Sequence, residues 1–173
     1  FINSSPRKVE KLNTPLLDAC DLVILDSDVF QSLSSAEKNM LKKSIDQGLG
    51  VIFIFNDLPS GIKELKPFLP VTFTKAQLDT TSVRINGVSY PFPVAPESIV
   101  PNGNVQSVLE SKVGSTITGY VHHSFGKVGF QLLQETYPLL LQGKKEAYAM
   151  IWAPLLTRVA RPETGPFELT VRT

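Results

Sequence analysis

Five consecutive apolar side chains, Val51-Ile52-Phe53-Ile54-Phe55, stand between a Gly48-Leu49-Gly50 break and the polar pair Asn56-Asp57. Neighbouring side chains of a strand point to opposite faces, so an apolar run without alternation must be covered on both. A strand of that kind belongs inside a sheet with helices on each side, which narrows the chain to an α/β architecture. The run Asp21-Leu22-Val23-Ile24-Leu25-Asp26 reads as a second buried strand. Between the two, Ser34-Ser35-Ala36-Glu37 has the spacing of a capping box, in which serine and glutamate satisfy each other's backbone N–H groups. Apolar residues then recur near the helical period at Ala36, Met40, Leu41, Ile45 and Leu49, and Gly48 supplies the stop. Strand, capped helix, glycine, strand is a βαβ unit, and its right-handed crossover makes the two strands parallel.

Downstream the pattern is less regular. A short helix is expected at residues 62–68 and a third strand at Val71-Thr72-Phe73. Asn86-Gly87, flanked by Ser82-Val83-Arg84-Ile85 and Val88-Ser89-Tyr90, is the strongest two-residue hairpin signal in the chain. Pro91, Pro93, Pro96 and Pro101 punctuate the stretch after it, so residues 74–118 read as an irregular insertion carrying a hairpin. Residues 119–124 and 128–133 read as an antiparallel strand pair joined across Phe125-Gly126-Lys127. A long helix follows, with Ala147, Tyr148, Ile151, Trp152, Leu155, Leu156 and Val159 on one face; Pro154 should kink it and Pro162 end it. The domain is expected over residues 1–162. Residues 163–173 are then a linker and an edge strand, or the start of another domain, from the alternation at 167–172.

At 173 residues, 42% hydrophobic and 19% charged, the chain suits one globular domain with a core. Seventeen basic against sixteen acidic side chains leave no basic stripe for nucleic acid. No apolar run approaches the roughly 20 residues of a membrane-spanning helix. The chain opens at Phe1 and reads as a piece of a larger protein. The single cysteine, Cys20, excludes an internal disulfide and a multi-cysteine metal site.

Ligands of parallel α/β sheets bind outside the carboxyl ends of the strands. Asp26, Ser27 and Asp28 after the first strand, and Asn56 and Asp57 after the second, are therefore the candidate ligand-binding residues, with His123 added from the one histidine pair. The plainer reading is that Asp and Asn favour such loops as helix caps and turns. His122 and His123, adjacent on a strand, point to opposite faces and cannot share one metal ion, and no Cys/His/acid cluster has metal spacing. Gly114-Ser115-Thr116-Ile117-Thr118-Gly119 lacks the spacing of a serine-hydrolase elbow, and no phosphate-binding glycine loop is present. No cofactor is expected. Tyr148 and Trp152 read as core, Tyr137 as freer.

Residues 21–55 resemble the strand, helix, Gly-x-Gly, strand core of class I glutamine amidotransferase-like domains. Residues 125–162 resemble the closing segment of such domains in large bacterial membrane-associated proteins, where a Gly-Lys turn leads into a strand, a loop and a helix with an aromatic-Ala…Trp pattern. Phe68-Leu69-Pro70-Val71 fits their Leu-Leu-Pro-Val strand entry. The resemblance implies a three-layer, mainly parallel, flavodoxin-like sheet with further strands before Phe1. It does not extend to the chemistry. An amidotransferase needs a cysteine at a glycine-flanked elbow with histidine and acid nearby, whereas Cys20 lies in Asp18-Ala19-Cys20-Asp21, without the electropositive setting of a nucleophilic thiolate.

The expectation is thus a non-catalytic, degenerate amidotransferase-like domain of a larger multidomain protein, serving protein interaction or ligand sensing through its strand-end loops. Its partners would be other domains of the parent or a separate protein. The parent's resemblance favours a periplasmic or membrane-associated location over the cytoplasm. Two alternatives stand beside it: a metal-assisted hydrolase built on Asp26, Asp57 and His123, and a structural spacer.

Overall fold

The computed structural model describes residues 11–56, 62–75, 80–95, 97–100, 104–111 and 114–161. In chain order the elements are α1 (Thr14–Asp18), β1 (Leu22–Asp26), α2 (Ser27–Ser32), α3 (Ser35–Asp46), β2 (Gly50–Ile54), α4 (Ile62–Leu65), β3 (Thr72–Lys75), β4 (Thr80–Ile85) and β5 (Val88–Pro93). There follow β6 (Glu97–Val100), β7 (Val105–Glu110), β8 (Thr116–His123), β9 (Gly126–Gln131), α5 (Pro138–Leu141) and α6 (Lys145–Val159). Asp57, Pro162 and the alternating segment 167–172 lie outside the described residues.

The main sheet has the order β1-β2-β9-β8-β7. β1 and β2 run parallel, as the capped-helix crossover requires, and β2 runs parallel to β9. β9 with β8, and β8 with β7, are antiparallel. The sheet is therefore mixed and not mainly parallel. The cause is local: only Ser124 and Phe125 separate His123 from Gly126, and a two-residue connection can join only antiparallel strands. β7 comes out of the stretch read as an irregular insertion.

Helices cover both faces. On one, α3 contributes Leu41 and Ile45 and α2 contributes Phe30, packed with Val51, Phe53, Val128 and Phe130, all buried. Phe30 meets Phe53 edge-on at 5.2 Å between ring centroids. Each such ring removed from water stabilises the fold by about 2–3 kcal/mol. On the other face, Leu155 and Val159 of α6 close over Ile52, with Leu22, Val108, Tyr120 and Leu156 around them. The five-residue apolar run is thus covered on both sides.

α6 lies very close to the sheet. A Cβ added at Gly50 would come within 2.3 Å of the Val159 carbonyl oxygen, so only glycine fits under the end of this helix. α6 also continues through Pro154. The ring removes one intrahelical bond, but the carbonyl it frees is that of Met150, a residue on the exposed side, where water can replace it.

The remaining strands form two ribbons, β3 with β6 and β4 with β5. The expected third strand is β3, but it lies outside the main sheet. Asn86 (φ 50°) and Gly87 (φ 80°) turn the β4–β5 hairpin as the Asn-Gly signal requires. Pro91 and Pro93 sit inside β5, which is tolerated because a two-stranded ribbon leaves open edges. Beyond β5 the chain docks on the main sheet: Ala95 N–H donates to Leu132 O at 2.8 Å and Gln134 N–H to Pro93 O at 2.9 Å. Among the described residues no helix is long and apolar enough to cross a membrane.

The capping box of α3 is formed. Ser34 Oγ accepts from the Glu37 N–H, and Glu37 Oε2 accepts from the Ser34 N–H at 3.0 Å. Its other oxygen accepts from the Leu12 N–H. These bonds, Ser34 first, hold the Glu37 carboxyl below its ordinary range. A lowered native value means a contribution present above the ordinary carboxylate range and lost as pH falls through the native value. Ser34→Ala should therefore cost about 1 kcal/mol in urea unfolding at neutral pH. Glu37→Gln should lie below the parent at neutral pH and converge with it in acid; a constant gap between the two would contradict the assignment. Gly50→Ala should cost about 2–3 kcal/mol, because α6 must lift to admit the methyl group.

Candidate functional site

The C-terminal ends of β1, β2 and β9 lie side by side. Register places Asp26 beside Ile54, Ile54 beside Gln131, and Gln131 beside Thr118, one row across four strands. Residues paired in register share a face. Two residues earlier on β2 and β9, Ile52 and Gly129 carry the end of α6. The row is thus on the α6 side, at the end toward which the N-terminal turns of the helix point.

Asp26 ends β1 and caps α2, its Oδ1 accepting from the Asp28 N–H at 2.9 Å. Its Oδ2 accepts from Asn56 Nδ2, and the Asn56 carbonyl accepts from Gln134 Nε2. This chain of bonds ties β1, the end of β2 and the segment after β9 together. Asp28 and Asn56 are exposed and Asp26 is half-buried. Ser27 is fully buried, and its hydroxyl has no hydrogen-bond partner among the described residues.

Gln131 is also fully buried. Its Oε1 accepts from the Thr118 hydroxyl at 2.6 Å and from the Leu133 N–H at 3.1 Å, while its Nε2 has no partner among the described residues. Next to this end, the Trp152 indole N–H donates to Thr136 Oγ1 at 3.1 Å, and Trp152 lies over Tyr148 with 6.2 Å between ring centroids. Both aromatics are half-buried against the core, and Tyr137 is exposed. Gln131, Thr118 and Gln134 were not singled out from sequence. The available signal was one polar side chain, Gln131, set within Phe130-Gln131-Leu132-Leu133.

His123 is not part of this arrangement. It pairs with Gly126 at the start of β9, level with the beginning of β2, so the length of the sheet, roughly 20 Å, separates it from Asn56. Its Nε2 donates to the Pro67 carbonyl at 2.7 Å, and its Nδ1 lies 3.2 Å from Asp46 Oδ1. The Ser124 hydroxyl donates to the same Asp46 oxygen at 2.8 Å. That bond first, and Lys42 after it, hold the Asp46 carboxyl below its ordinary range. The cluster pins the β8–β9 turn to the end of α3 and the residues after α4. A hydrolytic site joining His123 to Asp26 is not assembled. Among the described residues no three His, Cys, Asp or Glu side chains are placed to hold a metal ion. Cys20, half-buried, packs against the core between α1 and β1.

No protein-family model matches the chain, and no curated protein matches it. Solved structures share the fold. An exo-β-1,4-mannosidase of Opitutaceae bacterium strain TAV5 superposes with a TM-score of 0.60 at 12% identity, over 84% of this chain and 27% of the mannosidase. A cytoplasmic protein of Salmonella typhimurium gives 0.54 at 14%, over 85% of this chain and 74% of its own length. A β-galactosidase from Rahnella sp. R3 gives 0.50 at 11%, over 86% and 24%. The chain therefore spans about a quarter of either glycosidase, and what is shared is the fold.

These neighbours are glycoside hydrolases and a cytoplasmic protein, and the expected kinship with glutamine amidotransferases is overturned. The segment that suggested it, residues 21–55, is the local signature of a βαβ unit, which any sheet with a parallel pair can carry. The strand of the closing segment, β9, pairs antiparallel with β8 on a mixed sheet.

Gln131→Met should remove the acceptor of two buried donors and cost about 2–4 kcal/mol in urea unfolding. Asn56→Ala, at an exposed position, should cost under about 1 kcal/mol. Equal costs for the two would show that the buried pair is not the stronger tie.

Proposed function

We propose that this chain is a non-catalytic binding domain of a larger protein, taking a hydrogen-bonding ligand at the C-terminal ends of β1, β2 and β9. The observation that carries the reading is the pair of buried polar groups without partners among the described residues at this end, the Gln131 amide and the Ser27 hydroxyl. A buried donor left unpaired costs about 1–3 kcal/mol, a penalty offset when a ligand supplies the missing acceptor. Asp26, Asn56 and Gln134 supply further hydrogen-bonding groups at the rim, and none is arranged as a nucleophile with a base. The role as a module is supported by the mannosidase and the galactosidase, in which this fold accounts for 27% and 24% of the chain. Mannosides and galactosides, the substrates of those two enzymes, are sensible first probes, together with other sugars, amino acids and nucleotides.

The test is thermal unfolding of the chain with each probe. A ligand at 100 times its Kd adds about 2.7 kcal/mol, a few degrees for a domain of this size. Ser27→Ala should leave the free protein at least as stable as before, since its buried hydroxyl has no partner among the described residues, and should diminish the ligand-induced rise. A rise equally large in Ser27→Ala and Asn56→Ala would place the ligand elsewhere. A flat response to every probe would favour the spacer role.

A further inference from the structure

The outer face of α6 is the other unusual surface, and it is independent of the strand-end site. From Ala147 to Thr157 the helix carries no charged residue, although only Ala147, Ile151, Leu155 and Val159 are buried under it. A helix that is apolar all round is normally covered all round. Here Ala149, Met150, Ala153 and Thr157 face solvent, and with Pro154 and Arg158 they line a shallow groove of about 480 Å³. Met150 is 50% exposed, and in the preceding α5 Leu141 is 79% exposed.

We propose that this face binds the same face of a second copy of the chain, the two α6 helices lying antiparallel across a two-fold axis near Trp152 and Ala153. Charge points to this occupant. The i, i+4 ridge along the face reads Glu146, Met150, Pro154, Arg158, an acid at one end and a base at the other, equally far from residue 152. An antiparallel two-fold contact centred there sets Glu146 of each copy against Arg158 of the other, and Met150 against Pro154. The ends lie about 18 Å apart along the helix, so both ion pairs form at once. The neighbouring row Ala149, Ala153, Thr157 leaves a groove between ridges in which the Met150–Pro154 ridge of the second copy fits. Antiparallel packing also sets each helix dipole against the opposite end of its neighbour. One helix face is small beside a standard interface, so association should be modest, with a Kd on the order of micromolar.

Sedimentation velocity over a concentration series tests the contact, with circular dichroism and a melting curve checking that each variant is folded. The parent chain should pass from monomer to dimer. Ala153→Glu, at an exposed position, should weaken association by at least ~100-fold by burying a charge in each half of the contact. Glu146→Arg and Arg158→Glu should each weaken it by about tenfold, and the double swap should recover most of the loss because the pairs re-form reversed. A second check is Ala153→Cys in a Cys20→Ser background, which should cross-link across the axis under mild oxidation. A chain that stays monomeric at every concentration overturns the proposal. So does a dimer indifferent to Ala153→Glu, or one in which the double swap is no better than the single swaps.

Discussion

One close approach between layers, where the end of α6 rests on Gly50 with no room for a side chain, sets the geometry of the rest. Because the Val159 carbonyl comes down on the start of β2, the helix must run back along the sheet toward the strand C-termini. Leu155 then falls over Gly129 and Ile52, and the earlier turns point to the row of Asp26, Ile54, Gln131 and Thr118. The same contact turns Ala149, Met150 and Ala153 outward. Site and exposed face are both consequences of one glycine and the helix it admits.

At the opposite end of the sheet, a different set of polar contacts ties elements together. His123, Asp46 and Ser124 join a strand turn to a helix end, and Ser124 holds a left-handed backbone (φ 54°) to do so. A serine, an acid and a histidine within hydrogen-bonding distance invite a catalytic reading. The connectivity rules against it here: the serine hydroxyl is bonded to the acid, and the histidine Nε2 is directed at a carbonyl. Proximity of the right residue types is therefore a poor guide unless the order of the bonds is right.

What could be read from sequence was what local physics determines. The capping box at Ser34 and Glu37, the βαβ unit and the Asn86-Gly87 turn depend on neighbours in the chain, and all three are found. The short β8–β9 connection makes that pair antiparallel locally, but that β9 joins β2 in parallel is a long-range pairing that no local pattern encodes. The first half of β5, Val88 to Tyr90, was legible from the hairpin signal; its extension to Pro93 was hidden because Pro91 and Pro93 disqualify a central strand, though not one in a two-stranded ribbon. β7 was hidden inside a proline-punctuated stretch. At the site, Asp26 and Asn56 were legible as strand-end polar residues and do meet. His123 was placed with them from the histidine pair alone, because sequence does not show that β9 joins β2 in parallel and so sends β8 the other way. Gln131 went unnoticed because a polar residue in a strand is ordinary until its burial and missing partner are known.

The partner that completes β2 lies far along the chain. Gly50 is in register with Lys127, so a growing polypeptide must extend by 77 residues (50 to 127) before the open side of β2 can be filled. At about 5–20 residues per second that is a wait of several seconds on the ribosome. During it the most apolar strand of the protein, Val51 to Phe55, has β1 on one side and nothing on the other. Nascent chains of this fold thus carry a sticky edge for a predictable interval, and the order of synthesis, rather than the stability of the finished sheet, decides how long chaperones must shield it.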